Sequence, residues 1–280
     1  MMADRVAQNA QLSMLLELSS SPKPGNVDRC HDFRDLSFQQ FVISAVSAYP
    51  VFRRAALGEV GIGELILEAV KAWREWGLTG NTHFGSLTLL IPLAMAAGRP
   101  KALEIEIKSV LESTTVADAI NFYKAFDLAG ARVADVGDFS LKDKTAMDAL
   151  KAQEKTLLDL MKLSKDHDLV AREWSTAFQR SFYLSKTLEE NVSRYGLNCG
   201  VVRTFLLALS EIPDSLIQAK FGENVALQVS ARAALALKDE GLSAASGLDR
   251  DLLAEDINPG STADLIAASL FIALTKSLRF

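Results

Sequence analysis

Helical periodicity runs through almost the whole chain and limits the folds that it can adopt. Apolar residues recur at spacings of three and four in nearly every segment, and no run alternates convincingly with a period of two. No internal repeat, low-complexity tract or linker divides this pattern. At 280 residues, a chain of this kind can bury a substantial core. We therefore predict an all-α fold in one domain over residues 1–280, a single compact bundle of roughly ten to twelve helices.

Apolar faces, and the Gly, Pro and Asn breaks between them, place the individual helices. The run 86–97 is apolar on nearly all sides, which predicts a helix at the centre of the bundle. The polar stretch 130–144 is predicted as a surface loop or short helical turns, and 241–247 as a link of small residues. The predicted helices are 3–19, one starting at Ser37, one from Gly61 to near Gly77, 86–97, 101–112, 115–129, 145–163, 168–190, 197–210, one starting at Pro213, 223–239 and a last one ending near Ser277.

Composition and charge argue against several classes of partner. The net charge is −5 and no long basic run occurs, so we expect no nucleic-acid partner. The most apolar runs, 87–97 and 265–274, are shorter than the roughly 20 residues that span a bilayer, and we expect no membrane partner. Cys30 and Cys199 are far apart and fit neither a disulfide framework nor a zinc site. These features, with a start that lacks a signal-peptide pattern, predict a cytoplasmic protein.

A Pro-Gly break after the first helix carries a dense group of polar residues. Pro22 and Pro24 favour extended conformations at the residues before them, and Gly25 can adopt a positive φ. Such a connector would hold its side chains rigidly, as a phosphate or divalent cation site requires. An ordinary turn with solvated charges is the alternative interpretation. The polar residues concerned are Lys23, Asn26, Asp28, Arg29, His31 and Asp32.

Three polar loops, 19–32, 79–85 and 258–264, share one design. Each has a Gly or Pro break and a cluster of Asn, Thr, His or Asp before a strongly apolar helix. Because apolar helices gather in the core, we expect their N-terminal ends to meet at one end of the bundle, where free N–H groups suit phosphates. Asp28 and Asp264 would supply carboxylates that hold Mg²⁺ between phosphate oxygens.

The same loops also have a purely structural interpretation. Ser261 or Thr262 could be the N-cap of the last helix, with Asp264 as a favourable acid in its first turn. A single loop histidine such as His83 is more often a hydrogen-bonded structural residue than a catalyst. The residue types leave both interpretations open.

Taken in order, the three loops resemble the triphosphoribosyl-dephospho-CoA synthase family, which makes the precursor of the prosthetic group of citrate and malonate lyases. One loop alone would be a weak signal, but three in order are fairly specific. The matching residues are Glu17 with Ser21-Pro22-Lys23-Pro24-Gly25-Asn26-Val27-Asp28-Arg29, then Asn81-Thr82-His83-Phe84-Gly85, then Asn258-Pro259-Gly260-Ser261-Thr262-Ala263-Asp264-Leu265.

This resemblance implies an all-α transferase that uses ATP as a ribosyl donor. The 2′-hydroxyl of dephospho-CoA would attack C1′ of ATP and displace adenine, which needs a metal and cations on the triphosphate, a donor to adenine and a base near the hydroxyl. From residue type, Asn81, His83 and Asp28 are the candidate catalytic residues, and Asp28 and Asp264 the candidate Mg²⁺ ligands. The candidate nucleotide-binding residues are Lys23, Gly25, Asn26, Arg29, Thr82, Ser261 and Thr262.

Two departures bear on the acceptor. Phe84 stands where the lyase-associated enzymes have a lysine, and no Thr-His-Gly stretch occurs in the middle of the chain. The stretches 172–174, 213–217 and 220–222 look more like divergent archaeal relatives. The expected substrates are ATP and dephospho-CoA or a related acceptor. Another Mg²⁺-nucleotide kinase or hydrolase, or a non-catalytic nucleotide-binding protein on the same fold, is the alternative function. A homodimer is a further expectation, which the sequence does not decide.

Overall fold

The structure, a computed structural model, describes residues 2–78, 80–131, 152–276 and 278–280. The predicted all-α class is confirmed, because within these ranges the chain forms helices and its extended pairing is limited to two isolated bridges in the opening loop. The helices in these ranges outnumber the predicted ten to twelve, since two helices lie outside the predicted set and one predicted helix is broken in two.

The helices follow one another through short connections. The first seven are α1 (Met2–Ser19), α2 (Phe38–Ser47), α3 (Tyr49–Leu57), α4 (Ile62–Arg74), α5 (Phe84–Ala97), α6 (Leu103–Glu112) and α7 (Val116–Ala129). After 132–151 come α8 (Leu157–Ser164), α9 (Leu169–Ser175), α10 (Gln179–Tyr195), α11 (Leu197–Glu211), α12 (Ser215–Phe221), α13 (Glu223–Ala236), α14 (Ser243–Ala254) and α15 (Gly260–Lys276).

Side-chain caps explain where several helices begin. Ser37 and Gln40 form a capping box at α2, as Thr115 and Asp118 do at α7, and each box satisfies backbone N–H groups that a helix start leaves unpaired. The predicted helices whose ends agree within two residues are 3–19, 86–97, 101–112, 115–129 and 197–210.

Two apolar helices, α5 and α15, form the centre of the bundle and pack against each other. Both are buried on nearly every side, because almost none of their residues is polar enough to prefer water. The predicted central position of the 86–97 segment is therefore confirmed, although α5 begins two residues earlier, at Phe84. Around this pair, α15 also contacts α1, α9, α10, α11 and α12. The N-terminal ends of α5 and α15 lie side by side, which positions the site described below.

The prediction of a single helix over 168–190 is wrong, because the chain forms two helices, α9 and α10, with a break between them. Ala177 and Phe178 have φ values of 53° and 64° at the break. The left-handed conformation is costly for non-glycine residues, but here it is stabilised by tertiary contacts. Phe178 is fully buried, and the buried Glu173 carboxylate accepts a hydrogen bond from Ser181 N at 2.8 Å.

Two helices lie outside the predicted set. Helix α3 follows α2 after one residue, Ala48, and carries Pro50 in its first turn, where proline is compatible with a helix. Helix α14 begins at Ser243, inside the predicted 241–247 link, so that prediction is wrong. The Asp239 carboxylate there accepts hydrogen bonds from Ser243 Oγ and Ala244 N at 2.8 and 3.0 Å, which favours a helix start.

Part of the prediction falls outside the described residues. This applies to the proposed surface loop 130–144, apart from its first two positions, and to the beginning of the helix proposed over 145–163. A continuous helix over 145–163 is wrong in its described part, because residues 153–156 are not helical and α8 begins only at Leu157. A capping box between Thr156 and Asp159 fixes this later start.

Candidate active site

A buried ion pair holds the opening loop. The Lys23 side chain is fully buried, and its Nζ donates hydrogen bonds to the Glu17 carboxylate, to Asn26 Oδ1 at 3.0 Å and to the Val27 carbonyl at 3.1 Å. An ammonium has three hydrogens, so all of them have protein acceptors here. Burial raises the pKa of Glu17, and the adjacent Lys23 acts in the opposite direction. Lys23, predicted to contact phosphate, thus lies inside the protein and ties α1 to the loop.

Asp28 is also fully buried, and it orders the backbone of the same loop. Its Oδ2 accepts a hydrogen bond from Lys23 N at 3.2 Å, and its Oδ1 accepts one from Cys30 N at 2.7 Å. His31 Nε2 lies 3.5 Å from Asp28 Oδ2. Both carboxylate oxygens therefore have backbone donors. Arg29, next in the chain, is exposed.

The opening loop packs against the third loop and against α14. Gly25 N donates to Asp249 Oδ1 at 2.9 Å, and His31 Nε2 lies 2.7 Å from Asp249 Oδ2. Asn26 Nδ2 donates to Asn258 Oδ1 at 2.8 Å. Gly25 has a φ of 71°, and a Cβ there would lie 2.3 Å from the Ile257 carbonyl, so only glycine fits this position.

The second loop buries its histidine. His83 Nδ1 lies 3.1 Å from Ser44 Oγ, and the ring meets Phe41 edge to face at a centroid distance of 4.7 Å. Burial, with a smaller effect from Lys23, lowers the pKa of His83 to about 3, so the ring is neutral at pH 7. Its Nε2 and the neighbouring Thr82 Oγ1 are buried without a hydrogen-bond partner.

Asn81 and Asp264 join the second and third loops at the ends of the two central helices. Asn81 Oδ1 accepts a hydrogen bond from Phe84 N at 3.0 Å and so caps the start of α5. Ser86 Oγ donates to Asp264 Oδ1 at 2.5 Å, across from α5 to α15. The predicted meeting of the two helix N-termini is observed in these contacts.

The remaining predicted residues of the third loop bind the start of α12. Asp214 Oδ2 accepts hydrogen bonds from Thr262 N at 2.7 Å and from Thr262 Oγ1 at 2.8 Å. The hydroxyl oxygens of Ser261 and Ser215 are 2.9 Å apart. Ser261 and Thr262 are thus engaged in helix–helix contacts, and Ser261 also borders the cleft described next.

One cleft opens where α5, α7, α8, α9 and α15 meet. Its lining is mainly apolar with a few polar side chains, which is the combination found in small-molecule sites. Phe84, Phe122 and Phe126, which we call the aromatic wall, form an apolar part of it. The polar residues that line it are Asn81, Thr88, Ser164, His167, Asp168, Ser261 and Asp264.

Two carboxyl groups face this cleft. The pKa of Asp264 is raised to about 8, mainly by burial; the Ser86 hydroxyl acts in the opposite direction, and the nearby acids Glu17, Asp214 and Asp168 add to the increase. Burial raises the pKa of Asp168 as well. Asp168 Oδ1 also accepts a hydrogen bond from Ala171 N at 2.8 Å, as the N-cap of α9. Sequence reasoning missed Asp168, because an aspartate before an apolar run indicates only a helix start.

The predicted site residues therefore separate into two groups. Asn81, Ser261 and Asp264 come together at the cleft, whereas Lys23, Asn26 and Asp28 form a buried network beside it. Gly25, Thr82, His83 and Thr262 are buried around these two groups, and Arg29 is on the surface. Within the described ranges, no cluster of three or more His, Cys, Asp or Glu side chains is placed to ligate a metal, so Asp28 and Asp264 belong to no such cluster.

The sequence matches the model of the family described as ATP:dephospho-CoA triphosphoribosyl transferase (CitG) over residues 3–279. The chain belongs to this family. The resemblance drawn from the three loops is thereby confirmed, and the chain is a transferase of coenzyme biosynthesis. Among the helices that the structure describes, none has the length and apolar character needed to cross a membrane.

Relatives of this triphosphoribosyl transferase family member agree over most of its length. A "Probable 2-(5''-triphosphoribosyl)-3'-dephosphocoenzyme-A synthase" of Pseudomonas fluorescens (strain Pf0-1) is 27% identical over 298 residues, which is 97% of this chain and 91% of the relative. A protein of the same name from Vibrio cholerae serotype O1 (strain M66-2) is 23% identical over 288 residues, covering 95% and 87%. The crystal structure of a candidate triphosphoribosyl-dephospho-CoA synthase from Archaeoglobus fulgidus superposes with a TM-score of 0.71 at 28% identity, covering 84% of this chain and 99% of the other.

Proposed function

We propose that this chain moves a triphosphoribosyl unit from ATP to dephospho-CoA, or to a related acceptor, and releases adenine. The proposal rests on one observation: two of the three loops that resemble the family meet at one cleft. Asn81 from the second loop and Asp264 from the third both face it, beside the aromatic wall. A site for a nucleotide needs this combination of polar groups and an apolar surface.

The reaction sets clear chemical demands on the cleft. The bond between C1′ and N9 of ATP breaks with its electron pair on adenine, and the acceptor hydroxyl oxygen forms a new bond to C1′. The proton that the hydroxyl loses ends on adenine. Asp168 is the carboxyl that we place on this proton path, because it lines the cleft and burial raises its pKa. Asn81 is assigned to substrate binding.

Mg²⁺ is part of the proposal, with Asp264 as its protein ligand. Carboxylate oxygens are the ligands that Mg²⁺ prefers, and the ion is commonly held by one or two carboxylates together with substrate phosphates. The carboxyl of Asp264 lies at the cleft, and Mg²⁺ would bind it by displacing the proton that its raised pKa retains near neutral pH. Asp168 is the other carboxyl there. When bound, the ion would offset the charge of the triphosphate.

The other predicted residues keep weaker roles in this proposal. The metal and catalytic roles of Asp28 stay predictions. Both of its carboxylate oxygens already accept hydrogen bonds from backbone N–H groups, which favours a structural role. The contacts of Lys23, Gly25 and Asn26 favour a role in positioning the third loop. His83 is proposed as a neutral hydrogen-bonding ring beneath the second loop, and Arg29 stays a predicted phosphate contact.

The test is a reaction of the purified protein with ATP, Mg²⁺ and dephospho-CoA, followed by chromatography and mass spectrometry. Free adenine and a product heavier by the triphosphoribosyl unit are expected. ADP or phosphate in place of adenine would favour a kinase or hydrolase, and ATP binding without turnover would favour a non-catalytic protein. Asp264→Asn should raise the Mg²⁺ concentration required for half-maximal rate by roughly tenfold or more. Asp251→Asn, at an exposed carboxylate of α14, is the matched control and should leave it unchanged.

Three further expectations belong to the same proposal. Residues 1–280 are proposed as a single domain, consistent with a family match that spans 3–279. A cytoplasmic location without nucleic-acid partners is proposed from composition, and a homodimer is proposed for test by light scattering.

A further inference from the structure

The aromatic wall is an apolar surface built from two helices. Phe84 is the first residue of α5, and Phe122 and Phe126 are one turn apart on the same face of α7. The Phe84 ring centroid lies 5.4 Å from that of Phe122, with the two rings tilted by 45°, and 5.7 Å from that of Phe126, with the two rings edge to face at 77°. These contacts between the rings fix their orientation before any ligand binds.

The three rings are packed inside the protein but still border the cleft. Phe84, Phe122 and Phe126 are 6%, 7% and 5% exposed, so their remaining exposed surface is turned to the cleft. Leu160 and Met161 of α8 add apolar surface to the same region. A ligand group that contacts these rings must be largely apolar on its faces, since a charged group would lose its hydration without a partner.

The polar side of the cleft determines which chemical groups the rest of the ligand should carry. Asp264 and Asp168 lie there with Asn81, whose position at the start of α5 is next to Phe84. Carboxylate and amide oxygens accept hydrogen bonds from N–H and O–H groups. The cleft thus joins a stacking surface to hydrogen-bond acceptors, the pattern that a purine with its ribose requires.

We propose that the aromatic wall formed by Phe84, Phe122 and Phe126 binds the adenine ring, with the ribose and phosphates extending toward Asp264. This inference rests on the proposed function, and it deepens it by assigning the base to one end of the cleft. ATP and dephospho-CoA both contain adenine, so the shared chemistry is the adenine ring. The experiment below separates the two sources.

The test measures binding without turnover, by calorimetry with free adenine, tripolyphosphate, ATP and dephospho-CoA as separate probes. Phe84→Leu and Phe126→Leu should weaken adenine binding roughly 5- to 100-fold, the range expected for loss of base stacking. Both should leave tripolyphosphate binding within about twofold of wild type, because no phosphate contacts the wall in this proposal. Phe280→Leu, at a phenylalanine that is 67% exposed and outside the cleft, is the matched control and should change nothing.

Conservative variants protect the test from a loss of folding. Phe84→Tyr and Phe126→Tyr keep the ring and should retain adenine binding, and melting curves identify any leucine variant that has unfolded. Competition then shows which substrate supplies the adenine ring. If added adenine displaces ATP but not dephospho-CoA, the base that leaves ATP binds to the wall. If it displaces dephospho-CoA but not ATP, the adenine of the acceptor binds there. Either result supports an adenine subsite.

Other results would overturn the inference. Wild-type protein that does not bind adenine, folded leucine variants with wild-type adenine affinity, or equal losses for adenine and tripolyphosphate would each do so. The proposed function would fail in a different experiment. In that case the wild-type protein would release no adenine from ATP in the presence of dephospho-CoA.

Discussion

Gly85 lies so close to Asp264 that no side chain fits between them. A Cβ on Gly85 would be 2.0 Å from Asp264 Oδ2 and 2.6 Å from its Cγ. The neighbouring Ser86 hydroxyl donates a hydrogen bond to the same carboxyl at 2.5 Å. The carboxyl at the polar side of the cleft is therefore positioned by the first turn of α5, and the approach of the two central helices depends on a glycine.

We expect Gly85→Ala to destabilise the protein and to reduce adenine release together. The added methyl group must displace the Asp264 carboxyl, and overpacking of this kind lowers the free energy of unfolding by about 1–3 kcal/mol. Gly247→Ala is the control, since no atom lies within 4 Å of its Cβ, and it should be neutral or stabilising by about 0.5–1 kcal/mol. Urea unfolding of both variants is the measurement, and equal effects would show that the Gly85 contact relaxes at little cost.

The sequence predicted the central helices better than the connections around them. An apolar run such as 86–97 has no face suited to water, so its burial follows from composition alone. The break at Phe178 could not be predicted, because a left-handed phenylalanine is stabilised only by the core that surrounds it. The start of α14 depends on hydrogen bonds that the Asp239 carboxylate accepts, and apolar periodicity gives no sign of these bonds.

For the site, sequence reasoning identified the loops but not the direction of their side chains. The resemblance placed Asn81 and Asp264 in one site, and the structure brings both to the cleft. It could not show that Lys23 points inward to Glu17, since a lysine between two prolines is compatible with a solvated turn. Asp168 comes near Asp264 only through the packing of α9 beside α15, which no local pattern encodes.

We expect Lys23→Met to lower the free energy of unfolding by about 3–5 kcal/mol, because it leaves the Glu17 carboxylate buried and unpaired. The double variant Glu17→Gln with Lys23→Met should regain part of that loss. Urea unfolding measures both effects. Calorimetry on the folded double variant then tests the phosphate prediction, for which ATP binding should weaken by roughly 1.5–3 kcal/mol. Unchanged ATP affinity would leave Lys23 a structural residue.

Asn81 should show separable effects on folding and on substrate binding. Asn81→Ala removes the cap on Phe84 N and should cost about 1 kcal/mol of stability. Asn81→Asp keeps a capping oxygen but adds negative charge beside Asp264, so it should raise KM for ATP while stability stays near wild type. Ser37→Ala, which removes the cap of α2 at a residue that does not line the cleft, is the control and should lower stability without changing KM. An unchanged KM in Asn81→Asp would argue that Asn81 acts only as a cap.

The last prediction concerns the buried ring of His83 and the pH dependence of stability. In the folded protein its pKa is lowered to about 3, whereas an unfolded histidine titrates near 6.5. Between these values the unfolded state binds a proton that the folded state does not, so stability falls as pH decreases below about 6.5. This contribution amounts to about 2 kcal/mol at pH 5, from 1.4 kcal/mol for each pH unit.

His83→Gln should remove that contribution while keeping a polar side chain in the site. Lowering the pH from 7 to 5 should therefore destabilise the wild type by about 2 kcal/mol more than it destabilises the variant. The other titrating groups contribute equally to both proteins and cancel in this comparison. Ser44→Ala is the control, because it removes the hydrogen-bond partner of His83 but leaves the imidazole buried. It should lower stability by about 0.5–1.5 kcal/mol at both pH values and keep the wild-type pH dependence. Urea unfolding at the two pH values measures all three proteins, and parallel pH dependences for wild type and His83→Gln would show that the ring is protonated in the folded state.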